Sequence, residues 1–389
     1  MIIKPFKLKG EITAPPSKSM AHRLLILGAF SKESTIENVA FSKDIKATLS
    51  CLENLGAKIK IDKNTVTLGG FGDVKNTTLF ANESGSTLRF MLPICLLTDK
   101  EITLSGTPRL FERDMSAFEE FSKKYNFFFQ KDKDFIKVKG KLQTGNYEID
   151  ASLSSQFVSG LLMALSFLEG ESEVKLKNKI ESKPYIDLTL KALGDFGINA
   201  FWENEDTVKI ISQGIENKTL AVEGDYSNAA FLDAFNFLGN KVKINGLCED
   251  SKQGDKIYKT LFEKLGREII DLKDCPDLAP VLFALSSTVG ECHFVGTHRL
   301  KIKESDRANA MKEELEKFGV KVKVEENAVT VFGGKITSPT CPLNSHNDHR
   351  IAMSLTTLLS LTGGELVGEE CVSKSYPDFF EVIEKLKEK

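Results

Sequence analysis

Basic side chains recur along this chain at one kind of place. Lys18 with Arg23, Arg89, and His349 with Arg350 stand at or beside the starts of strongly apolar stretches, with Arg307 more distant from another. Six such stretches begin at Ser19 (SMAHRLLILGAF), Ser86 (STLRFMLPICLL), Ser155 (SQFVSGLLMALSFL), Ser227 (SNAAFLDAFNFL), Asp277 (DLAPVLFALSSTV) and Asp348 (DHRIAMSLTTLLSL). A Ser or Asp in that position can cap unpaired backbone N–H groups with its side-chain oxygen. Helices apolar on nearly every side belong in a protein interior, and a buried helix start offers an anion both free N–H groups and the positive end of the dipole. The coincidence points to an enzyme for small, multiply charged anions.

Each of these residues also has a plainer reading. Taken singly, Ser19, Ser155, Asp277 and Asp348 are helix caps, and Lys303, Glu304 and Arg307 are a solvated helix start with a salt bridge. Pro184 and Tyr185 read as a turn with a core aromatic, and His349 reads equally well as a structural or a functional histidine. The site reading is favoured because caps and cations meet at the same end of successive repeats, for which surface charge has no reason.

The elements that must position these groups form a sixfold repeat: an apolar helix, a short strand, then an amphipathic helix usually followed by a strand hairpin. Two copies show it best, DIKATLSCLENLGAKIKIDKNTVTLGG from Asp44 and DRANAMKEELEKFGVKVKVEENAVTVFGG from Asp306. Ile45, Leu49, Leu52 and Leu55 share one helical face in the first, as Ala308, Met311, Leu315 and Phe318 do in the second. Gly56 and Gly319 end the helices, and strict alternation follows (Ala57, Ile59, Ile61 against Val320, Val322, Val324) with turns at Asn64 and Asn327. Weaker copies start near Asp114, Tyr185, Gly254 and Pro377. A spacing of about 70 residues suits a few large units around an axis rather than a solenoid. The sixth copy stops at its helix, and the strand-like segment from Ile2 to Ile12 is placed to supply a missing strand; the fourth is cut short after Ile270, predicting a reduced hairpin.

With 389 residues and 41% hydrophobic content, the chain exceeds one hydrophobic core and suits two domains. The predicted division is 15–224 for the first and 1–14 with 225–389 for the second. A net charge of −3 gives no sign of a nucleic-acid partner, so basic character must be local. Seven cysteines without a CxxC pair and five histidines without ligand spacing predict reduced thiols, no metal and a cytoplasmic setting. Neither a signal peptide nor a membrane span is expected.

Placed on the repeat, the motifs PPSKSMAHR, ESGSTLR, FERD, SLSSQF, ESKPYIDLTL, KIKESDR, NDHRIAM and SKSYPDFF occur in an order that resembles the EPSP synthase family of enolpyruvyl transferases, from Lys18 to Phe380. The resemblance implies an α/β fold: a two-domain inverted α/β prism, each domain three copies of a βαβαββ-like unit, with the active site in the interdomain cleft. It implies a reaction in which the 5-hydroxyl of shikimate 3-phosphate attacks C2 of phosphoenolpyruvate and phosphate leaves, without a cofactor, and a monomer is expected. By position, Lys18, Gly85, Arg113, Gln156, Arg307, Arg350 and Lys374 match the family's phosphoenolpyruvate set. Lys18, Ser19, Arg23, Ser154, Ser155, Gln156, Ser182, Tyr185, Asp277 and Lys303 match the shikimate 3-phosphate set. Asp277 and Glu304 match its acid/base carboxylates, with Lys18 an alternative proton donor. Arg89 is expected to support the site rather than touch substrate.

Both implied substrates carry a phosphate and a carboxylate, whose mutual repulsion in a dry site makes cations obligatory. Forked guanidinium groups suit planar oxyanions better than ammonium groups do. Three positions depart from the family pattern: Glu83 where Asn is common, Phe90 where Pro is common, and Arg299 where some members have Asn. The rival readings are a sister transferase acting on UDP-N-acetylglucosamine and a non-catalytic anion binder. GTPRLFERDM lacks the reactive Cys of the first and Lys18-Ser19 replaces its Lys-Asn pair; Asp277 and Glu304 argue against the second.

Overall fold

The computed structural model describes residues 1–388, a mixed α/β chain that divides into two compact units, Pro16–Glu223 and Met1–Pro15 with Gly224–Lys389. Beside the crossings, Ser17 N donates to Glu223 O at 2.8 Å in one unit and Asp225 N to Pro15 O at 2.8 Å in the other.

Unit Pro16–Glu223 holds three four-stranded sheets of one topology. In the second of these, Thr78–Phe80 pairs parallel with Ile102–Ser105, which pairs antiparallel with Phe135–Lys139, the inner arm of a hairpin with Phe128–Lys131. The third repeats the pattern with Asn146–Asp150, Gly170–Lys177, Thr207–Ser212 and Asn199–Trp202. In the first, the parallel edge strand, Thr219–Ala221, comes from the far end of the unit to pair with Ser34–Glu37. Each sheet buries alternate residues, such as Val66 and Leu68 of Thr65–Gly69, as a period of two requires.

In the other unit, the sheet Ile270–Asp271, Glu291–Val295, Ala328–Phe332 and Lys321–Val324 has the same order in full. The N-terminal segment serves the remaining two. Ile2–Ile3 pairs antiparallel with Gly364–Val367, taking the place of the hairpin that the sixth copy lacks. Lys9–Thr13 pairs parallel with Lys241–Asn245, and this two-stranded sheet carries no hairpin among the described residues.

The six apolar helices line the two hydrophobic cores, one per unit. Lys18–Phe30 buries ten consecutive residues, Met20 to Ala29, because no polar face interrupts it. Helices Gly85–Cys95 and Ser155–Ser166 approach closely where Gly160 meets Arg89: a Cβ there would lie 2.8 Å from Arg89 O. No helix among the described residues is long and apolar enough to cross a membrane.

The expected caps need correction. Helix starts are capped by Ser17, Ser84, Ser154 and Asp225, one or two residues before Ser19, Ser86, Ser155 and Ser227. Asp277 lies inside the short 3-10 turn Pro276–Leu278 and gives no capping bond. Of the six, only Asp348 caps its helix as expected, accepting from Arg350 N. The physical reason is that a cap must have extended backbone, which the upstream residues adopt, leaving the next hydroxyls in the first turn.

Candidate functional site

In unit Pro16–Glu223, helix Lys18–Phe30 carries three predicted residues. Lys18 Nζ lies 2.7 Å from Asp44 Oδ2, at the start of helix Lys43–Asn54. Arg23 is buried: its Nε donates to Thr189 Oγ1 at 2.8 Å, Nη1 to Ser19 O at 2.6 Å, and Nη2 to Tyr185 O at 2.8 Å and Ser159 Oγ at 3.3 Å. These partners are neutral. Burial pulls the guanidinium down to about 9, and its carbon sits 5.1 Å from the Phe90 ring centre. Arg23 thereby ties the N-terminal halves of three helices, Lys18–Phe30, Ser155–Ser166 and Lys183–Asp195. His22 beside it is held well below its ordinary range by burial and then by Lys18 and Arg23, which keeps it neutral against Thr48 at 2.8 Å.

A second group forms around the start of helix Gly85–Cys95. Arg89 Nη1 donates to Gln156 Oε1 at 2.8 Å, and Gln156 Nε2 to Ser86 Oγ at 2.9 Å. Gly85 lets the Arg113 guanidinium come close to the helix start, since a Cβ there would lie 2.4 Å from Arg113 Nη1 and push that group aside. Arg113 itself ends the short helix Pro108–Glu112 and is buried. Ser154 caps helix Ser155–Ser166 by accepting from Gln156 N at 3.2 Å, and Ser155 is buried in its first turn. Ser182, at φ 57 and ψ 44, takes left-handed backbone before helix Lys183–Asp195, a strained conformation for Ser that functional sites often retain. Tyr185 enters through its carbonyl, the acceptor of Arg23.

In the other unit, carboxylates surround the cations. Asp277 Oδ1 accepts from Arg307 Nη1 at 2.8 Å and lies 3.6 Å from Lys303 Nζ; its Oδ2 accepts from Arg350 Nη2 at 2.8 Å. Arg307 Nη2 donates to Glu304 Oε2 at 2.7 Å, and Nε to Asp348 Oδ2 at 2.8 Å. Burial pushes the Asp277 carboxyl up, but Arg350, Lys303 and Arg307 outweigh it and hold the group well below the carboxylate range. Burial lowers Lys303 to about 8, opposed by Asp277. Arg307 is held well above its usual value by Asp348, Glu304 and Asp277 against the pull of burial. Lys374 Nζ donates to Asn347 O at 2.6 Å, next to the Asp348 cap. The arrangement can hold anions and place two carboxylates, Asp277 and Glu304, on one guanidinium.

The comparisons with known proteins decide the family. The family model for EPSP synthase (3-phosphoshikimate 1-carboxyvinyltransferase) matches residues 2–383. The chain is 37% identical to the 3-phosphoshikimate 1-carboxyvinyltransferase of Clostridium kluyveri, over 97% of this chain and 95% of that one. It is 36% identical to that of Clostridium perfringens, over 99% and 98%. The solved EPSP synthase of Acinetobacter baumannii superposes with a TM-score of 0.79 over 99% of this chain and 97% of that one, at 22% identity, which speaks for the fold.

The chain belongs to the EPSP synthase family.

Within this family member, the structure brings Asp277, Lys303, Glu304, Arg307 and Arg350 into one network, and Ser19, Arg23, Ser155 and Tyr185 to adjoining helix starts. Arg89 bonds to Gln156, consistent in geometry with a supporting role. Sequence reasoning missed several partners. Asp44 pairs with Lys18; Asp348 was expected to cap only, yet also takes Arg307; Ser86 holds Gln156; and Ser227 accepts from Arg350 Nη1 at 2.7 Å. A signal for Asp44 and Asp348 was available, since each is an acid beside a helix start in the repeat.

Proposed function

We propose that this EPSP synthase family member transfers the enolpyruvyl group of phosphoenolpyruvate to the 5-hydroxyl of shikimate 3-phosphate, releasing inorganic phosphate, with its own side chains as the only acids and bases. The observation that carries this reading is the Asp277–Arg307–Glu304 arrangement, which puts two carboxylates on one buried fork among further cations. Addition requires removal of the hydroxyl proton as the C–O bond to C2 forms and delivery of a proton to the methylene carbon. Asp277, held ionised by three cations, is assigned the first proton; those cations also weaken it as a base, and the charge of the incoming oxyanions offsets them. Glu304 is assigned the second. It shares Arg307 with Asp277 and Asp348, and an incoming dianion raises the proton affinity of any carboxylate beside it. Elimination reverses these roles: the new methyl group returns a proton and the C–O bond to phosphate breaks.

Substrate binding follows the charges. Arg23 with Ser19, Ser154, Ser155, Gln156, Ser182, Tyr185 and Lys303 is assigned to shikimate 3-phosphate; Gly85, Arg113, Gln156, Arg307, Arg350 and Lys374 to phosphoenolpyruvate; and Lys18 to both. Each charge-assisted bond to these oxyanions contributes about 1.5–3 kcal/mol. The test is phosphate release on mixing purified protein with both substrates. Release that requires both, with the enolpyruvyl ether as co-product, supports the reading; release with UDP-N-acetylglucosamine in place of shikimate 3-phosphate, or none at all, sinks it.

A further inference from the structure

Asp255 is buried, carries a charge-bearing group, and has no part in the assignments above. It lies in the short 3-10 segment Gly254–Ile257. Gln253, two residues earlier, fixes that segment to the start of helix Tyr226–Phe237, accepting from Tyr226 N at 2.9 Å and donating to Gly224 O at 2.8 Å. Ser227, in the first turn of that helix, is hydrogen-bonded to Asp255 Oδ2 on one side and to Arg350 Nη1 at 2.7 Å on the other. The helix does not need either group as a cap, because Asp225 accepts from Asn228 N at 2.8 Å.

The direction of these bonds follows from the groups themselves. A guanidinium only donates, so Ser227 Oγ accepts from Arg350; its single proton is then left for the carboxylate. A chain results, Asp255 to Ser227 to Arg350 to Asp277, with Arg350 Nη2 on Asp277 Oδ2 at 2.8 Å. We propose that Asp255 is a positioning residue of the donor site, acting through the Ser227 hydroxyl to hold the Arg350 guanidinium against Asp277. Among the described residues Asp255 Oδ1 has no hydrogen-bond partner, so the carboxylate's described bonding runs through Ser227. Burying a carboxylate without a direct cation is costly, and burial, then the like charge of Asp277, raise this one to about 7 against Arg350 and Ser227. Asp225 and the Cys275 thiol also lie in its surroundings.

The inference rests on the reading of Arg350 as a phosphoenolpyruvate ligand. Initial rates of phosphate release, with each substrate varied in turn, test both. Ser227→Ala should raise the KM for phosphoenolpyruvate about tenfold, the size of one lost bond to a charged group, and Asp255→Asn, whose amide oxygen still accepts from Ser227 but without the charge, about threefold, each with a smaller change in kcat and an unchanged KM for shikimate 3-phosphate. The double variant should be no worse than the worse single one, because both act on one path. A native phosphoenolpyruvate KM in Asp255→Asn, with or without a lower melting temperature, overturns the proposal, as do additive effects in the double variant. Should either single variant fail to fold, the other, nearly isosteric, still decides. Arg350→Ala separates the two readings: if it leaves that KM unmoved the donor assignment falls, whereas if it raises the KM and Ser227→Ala does not, only the role of Asp255 falls.

Discussion

The two units hold their cations in different ways. In Pro16–Glu223, Arg23 is bonded to hydroxyls and carbonyls, and Arg89 to the Gln156 amide. In the other unit, Arg307 meets three carboxylates, and Arg350 and Lys303 meet Asp277. A cation fixed by neutral dipoles keeps its charge for an incoming oxyanion. One balanced by carboxylates fixes their position and lets them exchange protons near a constant charge. The first arrangement suits phosphate binding and the second acid–base chemistry, although Lys18 with Asp44 brings one balanced pair into the first unit.

If the second unit holds the proton-transfer groups, Glu304→Gln and Asp277→Asn should lower turnover by about 10²–10⁴-fold while shikimate 3-phosphate still binds, as calorimetry with the purified variants would show. Full turnover in either variant removes that residue from the mechanism. Next in size is a stability effect. Arg307→Met removes the cation that three carboxylates share at an almost fully buried position, for which about 3–5 kcal/mol is expected in denaturant unfolding; Arg23→Met, which takes a donor only from neutral acceptors, should cost less. Equal losses would erase the contrast between the units.

A smaller effect is expected at Lys374, whose described bond goes to a carbonyl. Lys374→Ala should weaken phosphoenolpyruvate use by about 10- to 100-fold, matching one charge-assisted bond, and change melting little. Early melting with normal donor kinetics would make it structural. Lys18→Met is a sharper case, since it leaves the largely buried Asp44 without that cation and should both raise donor KM and reduce stability.

The mildest prediction concerns pH. Lys303 loses its proton as pH rises through about 8, so kcat/KM for shikimate 3-phosphate should fall across that range, and Lys303→Arg, which stays charged, should flatten the fall. For folding the sign is opposite in kind to the usual lysine case. A depressed folded pKa means the charged form is penalised in the fold, so this group opposes stability below about 8 and ceases to do so as pH rises past its unfolded value. Asp277, also depressed, contributes stability above its unfolded pKa that is lost as pH falls through the lower folded value. Asp277→Asn should therefore flatten the acid limb of a stability profile.

Much of the architecture was legible because it depends on local periodicity. The alternation after Gly56 and Gly319 and the apolar helices each appear where the pattern placed them, since helix and strand are set by which neighbours share a face. Cap positions were not, because Ser17 and Ser19, or Ser84 and Ser86, differ only in backbone angles that the chain adopts on packing. The candidate residues were named from motif resemblance; apart from Asp44 and Asp348, which stand beside helix starts of the repeat, their partners were beyond reach. Arg23 meets Thr189, 166 residues away, and Arg350 meets Ser227, 123 away.

By itself, then, the sequence determined the repeated units, the buried helices and which side chains bear charge, all properties of short segments. Tertiary structure decided which charges meet. Arg307 and Arg350 converge on Asp277 only because helix starts distant in the chain pack side by side in the second unit, and Arg23 finds neutral acceptors only because three helix starts meet around it. Pairing of this kind depends on three-dimensional neighbours rather than on spacing. The same physics sends Ile2–Ile3 and Lys9–Thr13 to strands more than two hundred residues away, where unpaired edges awaited them.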